Sequence, residues 1–305
     1  ETLTVPLTYT AKSGLVVTKE FVFNKNSHDV KVNYHVENTS SDVKSVKQFG
    51  QLKQSTQDIG GSMFMPTYRG GAFSTEDERY EKYSFDDMQD KNLNQSTPAG
   101  WAAMIEHYFV SAWVPPQDET NNLYSKMTQG GNAIIGFTGQ SVDIEPGQSV
   151  DIQSSLYLGP KDQDTLEKIA RGLDLTVDYG FLWWISKYLF AFLQFIHSLI
   201  GNWGFSIILI TIVVKGAMYP LTKAQYESMA KMRALKPKMD ALKERYGDDK
   251  QKMQQAMMEM YKKDKVNPMG GCFPLLLQMP IFLALYWVLL ESVELRHADF
   301  IFWIT

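Results

Sequence analysis

Two apolar stretches, residues 180–220 and 272–290, constrain the fold of this chain more than any other feature of its sequence. Each is long enough to cross a bilayer as a helix, which takes roughly 17–25 apolar residues. Charge divides the rest of the chain, because residues 1–180 carry 15 basic and 24 acidic side chains whereas residues 222–265 carry 12 basic and 7 acidic. An acidic part, two apolar segments and a basic loop indicate a membrane protein. A soluble protein with buried helices is the alternative.

Residues 1–173 predict an antiparallel β-sandwich. Apolar and polar side chains alternate over residues 30–36 and 150–158, as in strands with one buried face. Many short runs of this kind, separated by turns, are typical of a sandwich. Residues 162–171 predict a short helix, with Asp162 as its N-cap.

Residues 174–202 predict an amphipathic helix that lies in the membrane interface. On a helical wheel the polar side chains fall within about 120° of one another, so the helix is one-sided. The polar set is Ser186, Lys187, Gln194, His197, Ser198 and Gly201, with Phe190 intruding, and the apolar set is Trp183, Trp184, Leu189, Phe192, Phe195, Ile196, Leu199 and Ile200. An aromatic, one-sided helix fits the interface. A membrane span is the alternative.

The remaining segments predict a consistent topology. Residues 203–220 form the first span, and residues 268–290 return across the membrane. The basic loop between them, residues 221–267, is cytoplasmic by the positive-inside rule, which places the sandwich outside. The acidic residues of the last segment, 291–305, then lie outside as well.

The basic loop predicts a helical hairpin. Apolar side chains recur at spacings of three or four, Pro237 predicts a break near Lys236, and Asp248 with Gln251 resembles a capping box for the second helix. We expect five hairpin residues to contact substrate or ribosome: Met229, Met232, Arg233, Met257 and Lys262. Methionines suit varied apolar partners, but they also fill the seam between two helices. The basic side chains could meet ribosomal RNA or anionic lipid, or form a solvated face.

Lys215 is the most informative single residue, because it interrupts the apolar run of the first span. An ionised side chain there costs about 2.5–3.5 kcal/mol on insertion scales. Thr211 lies one turn earlier on the same face, so the two residues indicate a polar, water-filled cavity. The alternative is a snorkelling anchor, since Lys215 precedes Pro220 by about 7.5 Å along the helix axis.

The second span carries one amide, Gln278, between Pro274 and Pro280. Prolines are tolerated in spans where neighbouring groups or water satisfy the freed carbonyls. Gln278 and Pro280 are therefore candidates for the same polar cavity, with ordinary helix packing as the alternative.

The chain shows no signature of an enzyme or a cofactor site. It has one cysteine, Cys272, its five histidines lack metal spacing, and neither a Walker loop nor a nucleophile elbow is present. We therefore expect no cofactor, no metal and no DNA partner.

Several segments resemble the YidC/Oxa family of membrane-protein insertases of Gram-negative bacteria. The matching segments are 49–54 (FGQLKQ), 174–180 (DLTVDYG), 202–208 (NWGFSII), 219–226 (YPLTKAQY) and 267–282 (NPMGGCFPLLLQMPIF). The resemblance implies an α+β membrane protein of the bacterial inner membrane. It would have a periplasmic β-supersandwich, incomplete here, then an interfacial helix, two transmembrane helices and a cytoplasmic hairpin. An N-terminal anchor span and further spans are expected in the whole protein.

The resemblance also implies a function. Family members take nascent membrane proteins into a hydrophilic groove that is open to the cytoplasm and to lipid, alone or with the Sec translocon. The ribosome, the signal recognition particle pathway and membrane lipids are implied partners. The groove's basic residue aligns with Lys215 and its substrate-contacting threonine with Thr211. This residue is usually arginine, so the charge is kept but the planar fork is lost.

Two other functions remain open. A membrane-anchored carbohydrate-binding or sugar-processing protein is one, because the supersandwich resembles sugar mutarotase folds. A transporter subunit with Lys215 as its substrate site is the other, although the paired broken spans of such proteins are not evident.

Overall fold

The computed structural model describes residues 1–57, 67–247, 249–264 and 273–300. Contacts between residues divide them into two units. The first comprises Glu1–Asp178 and Glu291–Glu294, and the second comprises the described residues of Tyr179–Leu290 and Leu295–Thr305.

Twelve described strands, forming two sheets, make up most of the first unit. They are β1 Thr2–Thr10, β2 Leu15–Asn24, β3 Asp29–Asn38, β4 Lys44–Ser55, β5 Gly70–Ser74, β6 Glu81–Tyr83, β7 Asn94–Pro98, β8 Trp101–Ile105, β9 Phe109–Val114, β10 Thr120–Met127, β11 Asn132–Ile144 and β12 Ser149–Pro160. The order is β1-β2-β3-β12-β9-β8-β5-β6 in the larger sheet and β4-β11-β10-β7 in the smaller. The predicted sheet-rich first domain is confirmed.

The period-two runs predicted from sequence lie within paired strands. Residues 30–36 fall in β3 and residues 150–158 in β12, and the two strands run antiparallel with Val36 opposite Val150. Alternate side chains of β3 are buried, as a sheet with one covered face requires.

The larger sheet has a hydrophobic core on each face. One core is shared with the smaller sheet and includes Phe73, Trp113, Leu123, Ile135 and Phe137. The other includes Trp101, Tyr157, Leu166 and Leu173 and lies beneath helix α2 (Gln163–Ile169) and a 3-10 turn, Leu173–Thr176. Burying each large apolar side chain contributes about 1.5–3 kcal/mol, so these two layers account for much of the unit's stability.

Side-chain caps fix where the short helices of this unit begin. The Asp162 side chain accepts a hydrogen bond from the Thr165 backbone N–H at 2.8 Å, so the predicted N-cap is confirmed. Helix α2 ends at Ile169, two residues before the predicted end. Helix α1 (Phe85–Asp90) starts with a capping box between Ser84 and Asp87.

The long secondary-structure elements described in the second unit are all helices. Its helices are α3 Trp183–Ile200, α4 Trp203–Ala217, α5 Tyr219–Ala234, α6 Lys236–Tyr246, α7 Lys250–Lys263 and α8, which runs over Phe273–Glu291 and has its last residue in the first unit. The 3-10 turns Gly180–Leu182 and Val293–Leu295 flank the helical region.

Helix α3 corrects the predicted helical wheel. Ser186, assigned to the polar face, is fully buried and donates a hydrogen bond to the Ala284 carbonyl of α8 at 3.1 Å. Ile196, assigned to the apolar face with the exposed tryptophans, is also buried. The wheel separates polar from apolar side chains. It does not distinguish a short hydroxyl that packs against a neighbouring helix, as that of Ser186 does, from one that faces water. The exposed large apolar side chains of α3 are Trp183, Trp184, Tyr188, Phe195, Leu199 and Ile200.

One described helix, α8, is long and apolar enough to cross a membrane on its own. The predicted first span is divided, because α4 ends at Ala217 and α5 continues at an angle of 60°. Pro220 lies in the first turn of α5, where a missing N–H costs nothing. Only when they are taken together, as a bent pair, are α4 and α5 long and apolar enough to cross a membrane.

The described residues of the basic loop form three helices, the first of which, α5, begins at Tyr219. The predicted break near Lys236 is confirmed, because α5 gives way at Leu235 to α6, which has Pro237 in its first turn. The sequence predicts Asp248 as the capping residue of the second hairpin helix. Among the described residues, the Asp249 side chain caps α7 by accepting from the Lys252 N–H at 3.1 Å. Asp248 itself lies outside the described residues, as do residues 265–272.

Candidate functional site

The candidate site is built on the contact between α4 and α8. The Lys215 ammonium lies 4.2 Å from the centroid of the Phe282 ring, a cation–π geometry. Both side chains are exposed. Among the described residues, no carboxylate lies within ion-pair distance of Lys215, so the aromatic ring is the group that faces its charge.

Thr211 lies one turn before Lys215 on α4, as the sequence predicts. Its hydroxyl donates to the Ile207 carbonyl of the same helix at 2.7 Å. This back-bond uses the hydroxyl's only proton and leaves its lone pairs available as acceptors.

Gln278 and Pro280 lie within α8. Gln278 is 8% exposed, so its amide faces the interior, and Pro280 is half-buried. Pro280 cannot donate to the carbonyl four residues earlier, which is that of Leu276. The contact of α8 with Lys215 is made by Phe282, one turn beyond Gln278. Sequence reasoning missed this residue, although its spacing of four from Gln278 placed both on one helix face.

The connection between α3 and α4 is tightly fixed. Gly201 ends α3 with a φ of 71°, a conformation that favours glycine. Asn202 then caps α4 by accepting from the Phe205 N–H at 3.1 Å, and its amide donates to the Phe300 carbonyl at 2.9 Å. The rings of His197 and Trp203 stack with centroids 3.8 Å apart. These contacts hold the start of α4, the helix that carries Lys215.

The five predicted hairpin contacts differ in exposure. Met229, Arg233 and Lys262 are exposed, whereas Met232 and Met257 are half-buried.

Other side chains form the seam between α6 and α7. Met260 is buried, and the Tyr261 hydroxyl lies 3.8 Å from the Met239 sulfur. Lys238 forms an ion pair with Asp264 at 2.9 Å. The methionines therefore divide between the two roles left open by the sequence, since some fill the seam and others face outward.

Within the described ranges, no group of three or more histidine, cysteine or acidic side chains is placed to hold a metal ion. Two histidines of the first unit make other contacts. His35 pairs with Asp151 at 2.6 Å on the exposed face of β3 and β12, and the His28 ring packs edge-on against Tyr157.

The likeness of the chain to a solved α-galactosidase is weak. A GH36 α-galactosidase, AgaA from Geobacillus stearothermophilus, matches 55% of this chain and 25% of its own, with 11% identity and a TM-score of 0.41. At that score the likeness supports no conclusion about fold or activity, so the sugar-processing alternative gains nothing from it.

Similarity to family models and curated sequences is strong. The model of the YidC periplasmic domain matches residues 1–192, and that of the 60Kd inner membrane protein matches residues 195–305. The membrane protein insertase YidC of Pseudoalteromonas atlantica is 95% identical over the whole chain, and that of Shewanella pealeana is 60% identical. The chain covers 56% of each relative, so it spans about half their length. It belongs to the YidC family.

Proposed function

We propose that the protein is a membrane-protein insertase that accepts nascent polypeptides along a polar face of α4 and α8 and releases them sideways into lipid. The observation that carries the proposal is Lys215, an exposed cation in an apolar helix with no carboxylate partner among the described residues. Relatives named membrane protein insertase, one of them 95% identical across this chain, support it.

An unneutralised cation in an apolar helix favours ligands that bring a negative charge. Two unit charges 4 Å apart attract by about 4 kcal/mol at an effective dielectric constant of 20, and more weakly in water. A client's acidic or polar flank therefore gains most where water is partly excluded. Lys215 would draw that flank into the membrane without holding it permanently, because a lysine ammonium is strongly hydrated.

Hydrophobic transfer supplies the driving force, and no nucleotide is needed. Moving a large apolar side chain from water into an apolar phase contributes about 1.5–3 kcal/mol. Carrying one acidic residue through the bilayer centre costs about 2.5–3.5 kcal/mol on insertion scales. A client span of roughly 20 apolar residues therefore offsets the cost of a short polar tail.

We propose that the sandwich lies in the periplasm and that α5, α6 and α7 lie on the cytoplasmic side of the bacterial inner membrane. The exposed Met229, Arg233 and Lys262 would then contact client chains, the ribosome or the signal recognition particle pathway. The Sec translocon and membrane lipids are further proposed partners. In the same arrangement the exposed aromatic side chains of α3 would rest at the periplasmic interface.

The test is insertion of two matched client proteins, one with an acidic tail and one with a neutral tail, by the full-length protein in vesicles. Lys215→Met should lower insertion of the acidic client at least tenfold and lower insertion of the neutral client less. Lys215→Arg should insert both clients as the unmodified protein does. Lys223→Met is the matched control, since Lys223 is exposed on α5 and pairs with Glu227 at 3.9 Å. Equal insertion by the Lys215→Met variant and the unmodified protein would contradict the proposed role of the charge.

A further inference from the structure

An aromatic ring from a different helix, α8, faces the Lys215 ammonium on α4. The Phe282 side chain of α8 is 44% exposed, with its centroid 4.2 Å from the ammonium. We propose that Phe282 is a positioning residue for Lys215, and that its ring makes the site selective for acidic over neutral polar clients. This inference rests on the proposed insertase function.

Positioning is needed because a lysine side chain has a long, flexible stem. Lys215 lies two residues before the end of α4 at Ala217, so its ammonium could turn toward the aqueous interface at the end of the helix. The negative face of the Phe282 ring attracts the ammonium and competes with that withdrawal. An arginine, with its planar and preorganised fork, would depend less on such a neighbour.

The remaining groups around Lys215 do not replace the ring. The Thr211 hydroxyl donates its proton to the Ile207 carbonyl and keeps its lone pairs as acceptors, but among the described residues the Lys215 ammonium makes no hydrogen bond to it. Gln278, one turn before Phe282 on α8, is buried. Within the described part of the chain, Phe282 is therefore the group placed to set where the charge rests.

Selectivity follows from what can displace the ring. A client carboxylate carries a full negative charge and forms a charge-assisted hydrogen bond, which is stronger than an exposed cation–π contact. A neutral hydroxyl or amide gains little more from the ammonium than the ring already provides. A carboxylate therefore displaces the ring from the ammonium with a gain in free energy, whereas a neutral group does not.

The experiment compares acidic-tail and neutral-tail clients with the full-length protein and reports the ratio of their insertion rates. Phe282→Leu keeps an apolar side chain but removes the ring, so it should lower this ratio about fivefold, which corresponds to about 1 kcal/mol. Insertion of the neutral client should change less than twofold. Phe282→Tyr keeps the ring face and should restore the ratio, which a role in packing alone would not predict.

Two controls separate this inference from the proposed function. In a Lys215→Met background, Phe282→Leu should leave the ratio unchanged. Tyr286→Leu removes an aromatic ring one turn further along α8, where the ring packs edge-on against Trp287, and should not change the ratio.

An equal loss for both clients in Phe282→Leu, or an unchanged ratio while Lys215→Met lowers it, would overturn the positioning role alone. An unchanged ratio in Lys215→Met would reject the role of the charge itself, and the positioning role with it.

Discussion

Lys161 and Glu291 form a buried ion pair in the first unit, although 130 positions separate them in the sequence. The Lys161 ammonium lies 2.9 Å from a Glu291 carboxylate oxygen, and each side chain is 2% exposed. Lys161 follows the last strand of the larger sheet, and Glu291 is the last residue of α8. The His107 Nε2 atom lies 3.9 Å from the other carboxylate oxygen. A buried pair of this kind matters most when one partner is lost.

Removing one partner of this ion pair should therefore destabilise the protein more than removing both. Lys161→Met or Glu291→Gln alone should lower the free energy of unfolding by about 3–5 kcal/mol, because each leaves a buried charge without its counter-charge. The double variant Lys161→Met/Glu291→Leu should recover most of that loss. Thermal unfolding of the detergent-solubilised full-length protein measures the difference. Single and double variants with additive losses would contradict the expected coupling.

Glu294 predicts a pH dependence of stability in the same unit. Burial raises the pKa of Glu294 above its usual range, and the negative charges of Asp162 and Asp164 raise it further. The stability that this group contributes is therefore complete below its ordinary pKa and is lost as pH rises through the folded-state pKa. Glu294→Gln stays neutral, so it should unfold at a higher temperature than the unmodified protein at pH 7.5 and at the same temperature at pH 4.

A carboxylate without this environment provides the control. Glu167 is exposed on α2, so Glu167→Gln should change the unfolding temperature little at either pH. If Glu294→Gln raised the unfolding temperature at pH 4 and not at pH 7.5, the assigned direction of the pKa shift would be wrong.

Two glycines on β11 provide a matched test of packing between neighbouring strands. A Cβ atom at Gly136 would collide with the backbone carbonyl oxygen of Gly50 and come within 2.9 Å of the Gln51 Cα atom. Backbone atoms cannot move aside as a flexible side chain can, so Gly136→Ala should cost about 1–3 kcal/mol of stability.

Gly139 lies three residues later on the same strand, and a Cβ there would meet Gln48 atoms at 3.7 and 3.9 Å, which is ordinary contact. Gly139→Ala should therefore be close to neutral in the same thermal unfolding measurement. Equal losses for both variants would point to a general intolerance of alanine in β11 and not to the close approach at Gly136.

Asn202 allows its two hydrogen-bonding roles to be separated. Asn202→Ala removes both the cap of α4 and the donation to the Phe300 carbonyl, and should cost about 1–2 kcal/mol. Asn202→Asp keeps the cap acceptor and loses only the donor, so its loss should be smaller. Thermal inactivation in detergent ranks the two, and a larger loss for Asn202→Asp would contradict the capping role.

Local patterns in the sequence predicted the local structure well. Period-two alternation located β3 and β12, Asp162 caps α2 as expected, and Pro237 marks the break before α6. These features depend on neighbours within a few residues, which the sequence displays directly. The sequence does not single out Asp249 as the cap of α7, because adjacent acidic residues fit the same pattern.

Features that depend on distant partners were not predictable. The helical wheel places Ser186 on the polar side of α3 but does not reveal its partner on α8. Lys215 was recognised as a charge in an apolar run, whereas its contact with Phe282 requires the relative placement of α4 and α8. The burial of Glu291 beside Lys161 likewise depends on the fold, because sequence distance gives no sign of it.

The back-bond of Thr211 has a consequence for what α4 can recognise. With its proton given to the Ile207 carbonyl, the hydroxyl can only accept, while the ammonium one turn later can only donate. A peptide group presents the opposite pair, one N–H and one C=O. Thr211 and Lys215 therefore present one acceptor and one charged donor a turn apart on α4, which match the two polar groups of a peptide unit in chemical type.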